Sequence, residues 1–94
     1  MSTLHILSKP PSDNDCWRDC LTACSSGDTL LLIENGVYGA TVRPAELPEG
    51  VTFLALQADL EARGLSNLPL STKAIDDVDF VNCCIENQQT VSWF

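Results

Sequence analysis

Ninety-four residues, with thirteen acidic against five basic side chains, carry a formal net charge of −8. Such a balance argues against direct electrostatic binding to nucleic acid or to an anionic membrane surface. A chain this short suits one domain with one core, burying roughly 60–65% of the surface its unfolded form exposes, and 45% apolar residues make the composition globular rather than disordered.

The opening Met1-Ser2-Thr3-Leu4-His5-Ile6-Leu7 has no basic region and no small-residue cleavage site. No signal peptide is expected, and a soluble cytoplasmic protein follows. Apolar runs such as Leu30–Ile33 are far too short to span a bilayer. Leu4–Leu7, ended by Lys9-Pro10-Pro11, predicts a first strand. Ser12, with Asp15 three residues on, predicts a helix start and N-cap, the acids of this turn suiting the positive end of the helix dipole. The helix runs to about Cys24 and stops at Ser25-Ser26-Gly27. Asp28–Ile33 reads as a continuous apolar strand, the type buried on both faces of a parallel sheet.

Glu34-Asn35-Gly36 predicts a turn, and Val37–Val42 fits either a short helix or an irregular segment. Pro44 and Pro48-Glu49-Gly50 mark a loop before a third strand, Val51–Leu56. Asp59–Arg63 with Gly64 behind it is a short helix ending in glycine. Ser71–Ile75 is a fourth strand. Val78–Gln88 is a helix whose apolar positions Val78, Val81, Cys84 and Ile85 predict its core face. Thr90–Phe94 is a last short strand, whose Trp93-Phe94 pair either finishes the core or covers a subunit interface. This alternation predicts an α/β fold: a small flavodoxin-like domain with a mainly parallel four- or five-stranded sheet flanked by helices. Neither the G-x-G-x-x-G fingerprint nor a Walker A loop is present.

Five cysteines are an odd number, and in a reducing compartment they do not read as a disulfide framework. Cys16, Cys20 and Cys24 lie at i, i+4 and i+8 on the first helix. A shared metal is the weakest explanation, because Cys16 and Cys24 would stand about 12 Å apart along the axis, against zinc–sulfur bonds of about 2.3 Å. No C-x-x-C pair occurs, and His5, the only histidine, reads as a satisfied strand residue. At about 100° per residue, Trp17, Leu21 and Cys24 share an apolar arc with Cys24 near its centre. Cys24 is therefore expected to be buried and inert. Cys20 falls on the flank of that arc, where a partner reaches it as a reactive thiol, and Cys16 farther out. Asp13, Asp15 and Asp19 oppose thiolate formation there, while the helix start and Arg18 or Lys9 favour it. In the last helix Cys84 is expected in the core, and Cys83 is unassigned.

The order and spacing of short blocks along the whole chain resemble the DsrH/TusB family, the small subunit of the DsrEFH and TusBCD sulfurtransferase complexes. The blocks are Leu4-His5, Lys9 with Pro11, Cys20-Leu21, Gly27–Leu32, Asn35–Ala40, Asp59–Leu65, Asp79-Phe80-Val81 and Trp93. Asp77 departs from the pattern, standing where an aromatic is common. The resemblance implies that residues 1–94 are a single DsrH/TusB-like domain of the DsrEFH-like fold. It implies two paralogous partners, TusC/DsrF-like and TusD/DsrE-like, in a heterohexamer, with a TusE/DsrC-like protein accepting the sulfur. The complex relays persulfide sulfur toward 2-thiolation of a tRNA wobble uridine, or toward oxidation in the Dsr branch. Cys20 matches the position where DsrH-type members carry a cysteine, so the resemblance makes it the candidate persulfide carrier. The chain is then a sulfurtransferase subunit rather than a complete enzyme, needing no metal or organic cofactor, with no direct contact to nucleic acid and none to membrane. Some TusB members lack that cysteine, which leaves a structural, non-carrier subunit as the alternative.

Overall fold

A computed structural model describes residues 2–94. The chain runs β1 (Thr3–Leu7), α1 (Asn14–Ala23), β2 (Thr29–Leu32), a 3-10 helix (Glu34–Gly39), β3 (Thr52–Leu56), α2 (Gln57–Ala62), β4 (Lys73–Ile75), α3 (Asp77–Glu86) and β5 (Gln89–Trp93). The five strands form one sheet in the order β4-β3-β2-β1-β5, with every neighbouring pair parallel. The expected α/β architecture is therefore present, with five strands.

Topology decides which face each helix covers. The first three crossovers step in one direction, from β1 to β4, and right-handed connections put their helices on one face. The last crossover reverses past three strands to reach β5, which puts α3 on the other. The packing agrees. On the first face Leu7, Leu30, Leu32, Phe53 and Ala55 meet Trp17, Cys20 and Cys24 of α1, Val37 of the 3-10 helix and Leu60 of α2. On the second, Leu4, Ile6, Leu31, Leu54 and Ile75 meet only Phe80 and Cys83 of α3. Successive strand residues point to opposite faces, so Leu30, Leu31 and Leu32 of β2 are apolar in succession because both its faces are covered.

Local expectations differ from the structure at identifiable points. The N-cap of α1 is Asp13, not Ser12, because the Asp13 carboxylate accepts the Cys16 N–H at 3.3 Å. The turn at Glu34-Asn35-Gly36 and the first half of the ambiguous segment form the 3-10 helix, which ends at Gly39. The fourth strand shrinks to three residues at the sheet edge.

The apolar stripe of α3 points outward. Val78, Val81 and Ile85 are 67%, 57% and 74% exposed, Cys84 is exposed, and no residue of this helix is buried. The expectation that Cys84 belongs to the core is thus corrected. Phe80 and Cys83, about half a turn around from the apolar stripe, supply the inner face.

Gly36 is buried in the 3-10 helix, and a methyl group at its α-carbon would collide with the backbone carbonyl of Leu7. That carbonyl cannot move freely, since it accepts the Ile33 N–H at 3.1 Å. Gly36→Ala is expected to cost about 1–3 kcal/mol and to lower the thermal midpoint by about 4–8 °C per kcal/mol. An unchanged melting curve would show that the 3-10 helix is free to shift away from β1.

Candidate functional site

The site grows from the way α1 is set against the sheet. The Trp17 indole N–H donates to the Lys9 carbonyl at 2.7 Å, pinning the start of the helix to the segment that leaves β1. The helix is rolled so that Trp17, Cys20 and Cys24 face the sheet, with Leu21 at the margin. Cys20, expected on an accessible flank, is therefore 0% exposed. The difference is a helix roll of a few tens of degrees, which periodicity does not resolve. Cys24, expected in the core, is there at 6% exposure. It is the C-cap of α1, in extended conformation, with its N–H bonded to the Leu21 carbonyl.

Cys20 donates its S–H to the Cys24 sulfur. That hydrogen bond, then burial, holds the Cys20 thiol far above the ordinary thiol range. Burial, then the Asp13 charge, also raises Cys16, which is half-buried. Burial, then Glu86, raises Cys83. The Cys24 thiol, on the accepting side of that hydrogen bond, is held below its ordinary value despite its burial, and the one at Cys20 is closed off from solvent.

His5 joins this pair. It sits mid-strand in β1, 4% exposed, and one of its imidazole nitrogens lies with the Cys20 and Cys24 sulfurs in a group whose donor atoms are all within 4.8 Å of one another. The ring has defined partners. Trp93 Nε1–H, which only donates, gives its hydrogen to His5 Nδ1 at 3.2 Å. The proton therefore resides on Nε2 and is donated to Asp28 Oδ2 at 3.1 Å. The His5 and Trp93 rings stack with centroids 6.2 Å apart.

Asp28, 5% exposed, collects three hydrogen bonds: the Thr3 N–H at 3.0 Å, the Ser25 N–H at 2.9 Å and the His5 N–H. Burial alone would push its carboxyl up; the three donors outweigh it and hold the group below the ordinary carboxylate value. Among the described residues no buried side-chain nitrogen or oxygen lacks a hydrogen-bond partner.

The structure therefore brings together Cys20, Cys24 and His5, with Asp28 and Trp93 behind the histidine. Cys83 and Cys84 stay apart from them, and Cys16, one turn before Cys20, packs at the margin of the same core outside the group. Sequence reasoning read His5 as a satisfied strand residue, which its two hydrogen bonds bear out, and gave Asp28 no role. The available signal was an acid directly before an all-apolar strand. Its meaning needs the parallel register that pairs Leu4 with Thr29 and His5 with Leu30, which sets Asp28 beside the start of β1. As arranged, the two sulfurs and the imidazole offer soft donor atoms in a dry setting, not a nucleophile open to a partner.

Comparison with known proteins gives consistent relatives. The family model described as "DsrH like protein" matches residues 9–90. The protein TusB of Enterobacter sp. (strain 638) is 35% identical over 96 residues, covering 96% of this chain and 99% of its own. The protein TusB of Sodalis glossinidius is 36% identical over 95 residues with the same coverage. The crystal structure of the ychN protein from E. coli superposes with a TM-score of 0.72 over 98% of this chain and 99% of that one. At 16% identity it speaks for the fold alone.

Proposed function

The chain belongs to the DsrH family, and from that premise we propose that it is the TusB-type subunit of a sulfur-relay complex, assembled with TusC/DsrF-like and TusD/DsrE-like partners. The complex passes persulfide sulfur to a TusE/DsrC-like acceptor for 2-thiolation of a tRNA wobble uridine. The TusB name of its relatives favours this branch over the sulfur-oxidation counterpart. Two features support a subunit that needs neighbours. The outward apolar stripe Val78, Val81 and Ile85 is laid along one helix, with Phe94 also 84% exposed. The acidic charge of −8 suits a protein that hands sulfur on through other proteins and does not grip tRNA.

Within that complex the geometry favours the structural role over the carrier role, and the observation that carries this is the closed Cys20 thiol. Persulfide transfer requires a thiolate to approach a donor sulfur in line. A fully buried, protonated Cys20 that donates to Cys24 offers neither the thiolate nor the approach. The sulfur then rides on partner chains, while this chain completes the assembly. In the carrier reading, Cys20 accepts sulfur after the Cys24 end of α1 opens.

Alkylating reagents that trap persulfides, applied to the assembled complex after sulfur loading and resolved chain by chain, separate the two roles. Label is expected on partner chains and absent from the Cys20 peptide, and Cys20→Ser is expected to leave tRNA thiolation unchanged. A persulfide on Cys20 with thiolation lost in Cys20→Ser establishes the carrier role instead.

A further inference from the structure

We propose that His5, Cys20 and Cys24 form a binding site for a soft, low-coordinate cation of the Cu(I) class, held by two thiolates and one imidazole nitrogen. This is independent of which chain carries the sulfur.

The three donors come from two elements locked together by the core, β1 and the end of α1, and their ligating atoms already lie within 4.8 Å of one another. All three residues are at least nine-tenths buried, at 4%, 0% and 6% exposure. Thiolate and imidazole are the donors that select Cu(I) and zinc over hard cations. Among the described residues no fourth His, Cys, Asp or Glu joins the group, and the site faces the packed interior. Zinc takes four ligands, whereas a d10 monovalent ion is satisfied by three soft ones in a plane. The choice between the two ions therefore follows from the number of donors.

Charge calls for a cation at this site. Two thiolates side by side in a dry core are costly by themselves, and a cation between them offsets that cost. Asp28 sits behind the histidine as a carboxylate that orients the ring, an arrangement that supports a ligating imidazole. Asp28 keeps the Nε2–H, so the cation takes the Nδ1 lone pair in place of the Trp93 indole N–H and no ring proton is lost. Binding releases one proton from each thiol to solvent, forms two S–Cu bonds and one N–Cu bond, and changes no oxidation state.

The test is an anaerobic titration of the reduced full-length chain with Cu(I) against a chromophoric Cu(I) chelator. One equivalent is expected to bind. Affinity should fall by about 100-fold or more in Cys20→Ser and in Cys24→Ser. It should stay within about threefold in the combined Cys16→Ser, Cys83→Ser, Cys84→Ser variant, whose changes lie outside the group.

X-ray absorption on the copper-loaded wild-type chain needs no variant to fold, and a shell of two sulfurs and one nitrogen is expected. Absence of one-equivalent binding, a shell of sulfur alone, or affinity that follows Cys83 and Cys84 would each overturn the site. Tighter retention of Zn²⁺ than of Cu(I) in the same titration would overturn the low-coordinate assignment.

Discussion

Asp28→Ala is expected to remove about 2–4 kcal/mol of stability, a large share of the about 5–15 kcal/mol available to a domain of this kind. The carboxylate satisfies three donors at once, from the start of β1, the end of the α1 cap and the buried His5 ring. Alanine leaves all of them without their acceptor. The His5 N–H is the fully buried one of the three, and a buried donor left unsatisfied costs about 1–3 kcal/mol; the side chain that aligned β1, β2 and α1 is gone as well.

The same network gives the protein a defined acid limit. Asp28 has a folded-state pKa below its unfolded value. Its contribution is therefore complete above the unfolded carboxylate value, about 3.9, and is lost as pH falls through the lower, folded value. Urea unfolding midpoints measured from neutral pH down to the acid range should show this loss in the wild type, and the Asp28→Ala series should show a shallower acid limb. A variant that loses less than about 1 kcal/mol would mean that water replaces the carboxylate and that the network does not tie the strands together.

Charging the outer face of α3 is expected to separate assembly from folding. Val81→Lys with Ile85→Lys places two ammonium groups on positions already 57% and 74% exposed. The fold should change by no more than about 0.5 kcal/mol, as is usual for surface substitutions. If this stripe is where the partner subunit sits, desolvating those charges costs at least about 2 kcal/mol, the scale of an interface hot spot. That is a loss of about 30-fold in affinity for the partner subunits. The measurement is co-purification of the complex from cells expressing all subunits, with the thermal midpoint of the variant as control. Full assembly by a stably folded double variant would remove α3 from the interface.

The helix-strand alternation was legible because each element has its own local cause. The acids of the first turn of α1, a glycine after α2 and the short continuous apolar runs of β1, β2 and β3 all act within a few residues of chain. The α3 stripe was legible too, as Val78, Val81 and Ile85 at helical spacing, and its meaning was inverted. Periodicity shows that a helix has an apolar side. It does not show whether that side meets its own sheet or another subunit, because both remove the same surface from water. Here the sheet face opposite α3 presents five core residues, and Phe80 and Cys83 are enough to meet them.

The candidate site divides the same way. Sequence by itself determined an α/β chain with an acidic surface, a helix carrying three cysteines, and a buried Cys24. Tertiary structure alone decided that β5 crosses to the far side of β1, that α1 rolls Cys20 into the core, and that His5, Asp28 and Trp93 converge on the two sulfurs. Those residues lie 23 and 88 positions apart in the chain along the hydrogen bonds that join them. Their meeting is set by parallel strand register, and register is a balance of packing across the whole sheet that no local run of residues encodes.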